Sequence, residues 1–297
     1  MTIDDFNERW QTPGIRFEEG PEGFVFVRLH SIDAEATLTL HGAHLLSYRT
    51  DGEQPILWTS ASAIFQDEKA IRGGIPICWP WFANHPSDDT KPAHGFARTS
   101  KWHVLSTEHR ADAEVLRLGL EATEETRALW SHNFQLIYEI TLAETLMAKL
   151  TVHNPGKDAF QFTGASHSYF EASHISRVAV RGLDHVTYID SIDDCRQKEQ
   201  EGDITFTEEV DRIYLDTTDT CLIYDRAWDR TVSVAKEGSR STVVWNPWID
   251  KAKRMADFGD NEYNEMVCVE TANAATDEIE VGPGESHSLS VELSLLD

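Results

Sequence analysis

The chain has 297 residues and 33.6 kDa, with 26 basic against 51 acidic side chains, a formal net charge of −25 and a pI near 4.8. That balance argues against nucleic acid and anionic membrane as partners, because both call for clustered cationic side chains. The length allows either two ordinary domains or one large all-β domain.

The opening residues, MTIDDFNERW, lack a basic stretch followed by an apolar one. No run of about 18 apolar residues follows, so neither secretion nor a membrane span is expected. From residue 24 onward, short alternating or apolar runs are separated by turn residues, which predicts an antiparallel all-β protein. Strands are expected at residues 24–29, 36–40 and 43–48, then at 102–105, 115–120, 134–142, 146–152 and 159–162. Later strands are expected at 178–180, 185–189, 212–215, 221–224, 231–235, 242–245, 266–270 and 286–295. Helix is scarce, with one or two turns expected at 124–130 and short ones at 250–255 and 261–264. The alternation of strands with long helices that a parallel sheet needs is absent. No linker, charge block or internal repeat divides the chain, so a single two-sheet supersandwich over residues 1–297 is expected, with the acidic stretch 184–211 as a surface excursion. The four cysteines, Cys78, Cys195, Cys221 and Cys268, stand singly with no CxxC pair, and read as reduced thiols of a cytoplasmic protein.

One stretch breaks the strand pattern. Residues 71–98 read IRGGIPICWPWFANHPSDDTKPAHGFAR, crowding glycine, proline, indole, imidazole and guanidinium into an irregular segment. Proline removes ladder donors and paired glycines open backbone conformations that other residues avoid, so neither a helix nor a central strand fits. A long loop of this composition reads as a binding site. Arg72 and Arg98 look like an anion clamp, and in so acidic a chain an anionic substrate needs such a local positive pocket; the plainer alternative is structural pairing to surface carboxylates. His94, beside Gly95, is either a ligand contact or a histidine that satisfies loop carbonyls.

Two further groups suit proton transfer. His167 follows the strand-like run AFQFT and lies on or at the end of a strand, as a rigid acid or as a half-buried histidine bonded to a carbonyl. Glu270 ends the apolar run MVCV, where a carboxylate is costly unless paired or functional; an outward-facing glutamate on a sheet edge is the alternative. Trp79, Trp81, Trp245 and Trp248 suit either a sugar-stacking platform or the core. GxSxG, GxxxxGK[ST], HExxH and GxGxxG are all missing, which removes the motif-borne nucleophile, nucleotide and zinc readings. His41 and His44 face opposite sides of a strand and so make a poor metal pair.

The segments IRGGIPICWPWF, PAHGFAR, SHSYF, EVDRIYL, VVWNPW and VCVETAN, in this order between about residues 42 and 284, resemble the aldose 1-epimerase superfamily and within it the hexose-6-phosphate mutarotase branch. The resemblance implies a galactose mutarotase-like β-supersandwich with an open cleft. It implies an isomerase that interconverts the anomers of a hexose 6-phosphate, with His167 as general acid on the ring oxygen and Glu270 as general base on the anomeric hydroxyl. By the same resemblance, Arg72 and Arg98 look like phosphate or substrate contacts, Asp211 a sugar-hydroxyl acceptor and His94 a further sugar contact. The partner is then a small-molecule sugar phosphate, with no cofactor, no metal and a monomeric protein expected. Two departures stand out: Ala93 replaces the glutamine that some relatives carry before HGFAR, and the WPWFG pattern ends here in Ala83, followed by an acidic insert at residues 84–90. A non-catalytic sugar-phosphate sensor, or a lyase or hydrolase on a similar fold, remains open.

Overall fold

A computed structural model describes residues 1–296. Strand follows strand in antiparallel pairing, and the alternation in sequence is the reason. In Gln135–Leu142 and Leu146–His153 every second residue is buried, so one face of the hairpin meets the core and the other meets water. These strands lie in a nine-stranded sheet whose order is Ile204–Thr205, Val178–Arg181, Cys221–Asp225, Arg230–Glu237, Ser286–Leu296, Leu146–His153, Gln135–Leu142, Glu114–Glu121, His103–His109.

An eight-stranded sheet faces it. Its order is Arg196–Glu199, Thr187–Asp190, Val210–Tyr214, Ser241–Asn246, Met266–Asn273, Gly164–Ser166, Ile77–Cys78, with Tyr169–Glu171 also paired to Met266–Asn273. One hydrophobic cluster joins Val244, Val267 and Val269 of this sheet to Leu136, Val234 and Leu293 of the other. The central strands Ser241–Asn246 and Met266–Asn273 are buried along their whole length, one face against the other sheet and the other at the bottom of a recess. A four-stranded sheet, Ile15–Glu19, Val25–His30, Ala34–Thr39 and His44–Thr50, and a two-stranded one, Phe160–Phe162 with Ile279–Val281, complete the β structure.

The helices at Glu124–Leu129 and Trp248–Ala252 lie close to their expected places, and the third expected helix is a 3₁₀ turn, Glu262–Glu265. The helix Ile3–Trp10, opened by a Thr2/Asp5 capping box, was not expected, although Ile3, Phe6 and Trp10 fall at helical spacing; with eight residues and Phe6 alone buried, its signal is short. The acidic stretch 184–211 is not an excursion. Its strands Thr187–Asp190 and Arg196–Glu199 finish one edge of the eight-stranded sheet; Arg196–Glu199 is largely exposed and carries no apolar alternation to announce it. Among the described residues no helix is long and apolar enough to cross a membrane.

The loop 71–98 is fastened to this framework by buried polar contacts. The His44 ring lies 2.7 Å from the carbonyl of Gly73 in the loop, and the His41 ring 2.7 Å from that of Lys69 just before it. Burial drives the His44 pKa down to about 3, so its ring is neutral and Nε2–H donates to Gly73. Gly74 has φ of 60° and a Cβ there would sit 2.0 Å from the Leu45 carbonyl, so only glycine lets the chain pass. Ile77–Cys78 then pairs with Ala165–Ser166 as the last, edge strand of the eight-stranded sheet.

Candidate active site

The outer face of the eight-stranded sheet forms the floor of a cleft. Asp211 lies opposite Trp245, Trp245 opposite Cys268, and Glu270 opposite Val243, so strand alternation puts Asp211, Trp245, Cys268 and Glu270 on one face. Cys78, Ala165, Val243 and Ala272 share it, and these small side chains leave the floor hollow. The cleft encloses about 490 Å³ and is bordered by Arg72, Phe82, His94, His167, Asp211, Trp245, Lys251 and Glu270, with Ser191 and Cys195 at one side.

His167 and Glu270 meet at its base. The strand Gly164–Ser166 ends one residue before His167, whose backbone N–H donates to the Pro76 carbonyl at 3.1 Å. Its ring stacks on Tyr169 at 4.7 Å with an interplanar angle of 6°. Nδ1 lies 3.3 Å from Glu270 Oε1, yet neither Nδ1 nor Glu270 Oε2 has a hydrogen-bond partner. Glu270 is 1 % exposed and His167 8 %. Unpaired polar atoms at such depth are uncommon, and these two belong to residues that border the cleft, where a ligand or water can reach them.

Electrostatics follow from this burial. Desolvation pushes the Glu270 carboxyl well above the usual carboxylate range, and the nearby Asp211 charge pushes the same way, while Arg98 opposes them. Desolvation holds His167 well below the usual imidazole range, aided by His94, Arg98 and Arg72. Both shifts favour the uncharged form of each group, a protonated glutamate beside a neutral imidazole.

His94 stands across the cleft, its ring 5.6 Å from that of His167. Burial, then Arg98 and Arg72, lower its pKa to about 3, so it is neutral. The Ala83 N–H donates to His94 Nδ1 at 3.3 Å, and the His94 N–H to the Ala83 carbonyl at 2.6 Å. With Nδ1 an acceptor, Nε2 carries the proton and is the ring's donor. Asp211 receives Lys251 Nζ at 3.3 Å, which also reaches Glu209 at 2.9 Å, so its carboxylate is held at the rim by a shared cation.

Arg72 borders both the cleft and a neighbouring cavity of about 330 Å³, whose wall also includes Lys69, Arg98, Tyr169 and Asp257. Its Nε and Nη2 donate to the two oxygens of Asp257 at 3.3 Å each, and Nη1 donates to Tyr169 Oη at 3.0 Å. Arg98 is not in the cleft with His167. Its Nη2 donates to the Ala93 carbonyl at 2.8 Å and its side chain lines the neighbouring cavity.

Of the six residues singled out in sequence, the structure thus brings His167, Glu270, His94, Asp211 and Arg72 to one cleft and leaves Arg98 next door. The tryptophans divide. Trp79 and Trp81 are core residues, 0 % and 4 % exposed, Trp245 lines the cleft, and Trp248 packs on Tyr263. The alternative of Glu270 on an outward-facing edge is excluded, since its strand is central and fully buried. Lys251, Asp257 and Tyr169 were missed. Tyr169 sits inside the SHSYF segment and two residues past His167, a usable strand signal, whereas Asp257 lies in a turn that no local pattern marks. Ligand atoms of His167, Cys268 and Glu270 lie within 4.8 Å of one another, and burial keeps the Cys268 thiol protonated, its pKa well above the ordinary thiol range.

Comparison with known proteins agrees with this geometry. A curated protein of Escherichia coli K12, provisionally named a glucose-6-phosphate 1-epimerase, is 37 % identical over 242 residues, covering 81 % of this chain and 80 % of its own. A protein of Cenchrus ciliaris with the same provisional name is 38 % identical over 269 residues, covering 87 % and 80 %. A crystal structure from Salmonella typhimurium, described provisionally as a mutarotase, superposes with a TM-score of 0.90 at 31 % identity, covering 97 % of this chain and 96 % of that one. A galactose mutarotase-like protein from Clostridium acetobutylicum, at 16 % identity and a TM-score of 0.74 over 95 % and 98 %, shares the fold. The sequence profile described as aldose 1-epimerase matches residues 27–294, and the chain belongs to the aldose 1-epimerase family.

Proposed function

We propose that this protein interconverts the α and β anomers of a hexose 6-phosphate, with glucose 6-phosphate the substrate that the names of its curated relatives favour. The observation that carries the reading is the pair His167 and Glu270, 3.3 Å apart and buried at the base of a 490 Å³ cleft, each with an unpartnered polar atom. Anomer exchange needs one proton delivered to the ring oxygen and one taken from the C1 hydroxyl.

A neutral pair accomplishes this without separating charge in a buried site. Glu270 Oε2 takes the proton of the C1 hydroxyl, Glu270 Oε1 passes its own proton to His167 Nδ1, and His167 Nε2–H donates to the ring oxygen. The bond from C1 to the ring oxygen breaks and C1 becomes the aldehyde carbon. Rotation about C1–C2 presents the other face, and the same transfers in reverse close the ring. Both groups return to their starting state, so the sequence is balanced in protons and electrons. It also reconciles an acid role for His167 with a ring that burial keeps neutral. His94 Nε2–H and the Asp211 carboxylate hold sugar hydroxyls, and Trp245 offers an apolar face to the ring.

Arg72 sits where the sugar cleft meets the cavity lined by Lys69 and Arg98. A sugar in the cleft with its 6-phosphate in that cavity uses both spaces, and the three cations meet a dianion. The unpaired cysteines support a cytoplasmic protein, and we read the chain as a monomer of one domain.

Saturation-transfer NMR between anomers tests the assignment. His167→Ala and Glu270→Gln are each expected to lower kcat about 10²- to 10⁴-fold, the usual contribution of a proton-transfer group, with the fold intact by circular dichroism. Mutarotation near the wild-type rate in either variant removes that residue from the proton path.

A further inference from the structure

The cavity proposed for the phosphate already holds an anion of the protein's own. An arginine binds a phosphate best through two parallel N–H groups on one edge of its fork, and on Arg72 the edge formed by Nε and Nη2 is taken by Asp257. That carboxylate lies in the wall of the same cavity, about one fifth exposed, so a phosphate reaching Arg72 meets Asp257 at close range.

Three features make the pairing exchangeable. Its N···O distances, 3.2 to 3.3 Å, are long beside the roughly 2.7–2.9 Å of a tight charge-assisted bond. Arg72 does not depend on Asp257 for its position, because Tyr169 Oη, on a residue 1 % exposed in the strand Tyr169–Glu171, also holds its Nη1. The backbone of Asp257 is anchored by its neighbour, since Phe258 is buried against Trp58 at 5.1 Å. The carboxylate is therefore free to leave by side-chain rotation alone.

We propose that Asp257 is an internal counter-ion: it occupies the bidentate edge of Arg72 in the empty protein and gives it up to the substrate phosphate, so that it sets how strongly dianionic hexoses are preferred over neutral ones. This rests on the phosphate reading of the neighbouring cavity. Asp257 then works against every anion alike. A sugar phosphate overcomes it because the sugar's own contacts in the cleft hold the phosphate in place, whereas free inorganic phosphate has no such help and is kept out.

The test uses the full chain with Asp257→Asn and Asp257→Ser, measured by anomer-exchange NMR on glucose 6-phosphate and glucose, with inorganic phosphate as inhibitor. Removing one close like charge is expected to raise the ratio of kcat/KM for glucose 6-phosphate over glucose on the order of tenfold. The inhibition constant for inorganic phosphate falls by a similar factor. If the wild-type protein prefers glucose 6-phosphate but the ratio drops or stays level in both variants, Asp257 is a buttress for Arg72 and the proposal is overturned while the phosphate reading stands. If the wild-type protein and both variants treat glucose and glucose 6-phosphate alike and inorganic phosphate inhibits none of them, the phosphate reading fails first and takes the proposal with it.

Discussion

Burying Glu270 beside His167 decides where one proton rests, and the consequence reaches stability as well as catalysis. Glu270 titrates well above its unfolded value near 4.5 in the folded protein, chiefly through desolvation. Between those two values the folded state binds a proton that the unfolded state has released. Stability is therefore fully present below pH 4.5 and is lost as pH rises through this window, with a slope approaching about 1.4 kcal/mol per pH unit for one proton. His167 has the opposite sign: held below 6.5, it costs stability as pH falls below that value, but it does so with or without the carboxylate. Glu270→Gln abolishes the first slope. The variant is expected to unfold at nearly the wild-type temperature at pH 4 and at a higher one at pH 7, in spite of its lowered kcat. Thermal melts of both proteins from pH 4 to 8 check this, and a variant less stable than wild type at pH 7 contradicts it. His167 and Glu270 were legible in sequence as candidates because each is a titratable group ending or following an apolar strand, while the acid and base roles expected of them came from the family resemblance. Their contact was not, since 103 positions along the chain separate them and the pairing of Gly164–Ser166 with Met266–Asn273 brings them to 3.3 Å.

At the scale of elements, the loop 71–98 was legible as a site by composition but not in its course. Its prolines and glycines excluded regular structure, while which of its side chains turn inward depends on the sheet edge it joins. Trp79 and Trp81 went to the core and Arg98 to a second cavity for that reason. The junction that holds His94 in the cleft is a two-way clasp with Ala83, and both residues adopt left-handed backbone, φ 63° and 61°. Left-handed geometry costs an alanine about 1–2 kcal/mol and glycine very little. Ala83, which departs from the glycine of the WPWFG pattern, thus keeps the loop's path at a local energetic cost. Ala83→Gly is expected to stabilise the protein by about 1 kcal/mol, a rise of about 2 °C in Tm for a domain of this size. It also slackens the clasp, so KM for the sugar rises slightly. An unchanged or lower Tm means that the alanine contributes packing that outweighs its strain.

For the whole molecule, antiparallel β architecture followed from alternation along the strands of the nine-stranded sheet, which has one wet face. The edge strand Arg196–Glu199 escaped notice because it is nearly all polar. Charge is the remaining molecular property with a functional consequence. The chain carries −25, and a hexose 6-phosphate approaching it is a dianion. Two electrostatic terms of opposite sign act on that substrate. The field of the whole protein repels it over tens of ångströms, and salt screens this strongly, because the Debye length falls from about 30 Å at 0.01 M to about 8 Å at 0.15 M. In the proposed binding mode, Lys69, Arg72 and Arg98, partly offset by Glu68 and Asp257 in the same wall, attract its phosphate over a few ångströms in a half-buried cavity, where screening is weak. Salt therefore removes more of the repulsion than of the attraction. Between 10 and 150 mM sodium chloride, kcat/KM for glucose 6-phosphate is expected to rise about two- to fivefold relative to that for glucose, whose neutrality makes it the internal control. A ratio that falls with salt shows instead that the cations of the cavity steer the substrate from a distance in spite of the acidic surface.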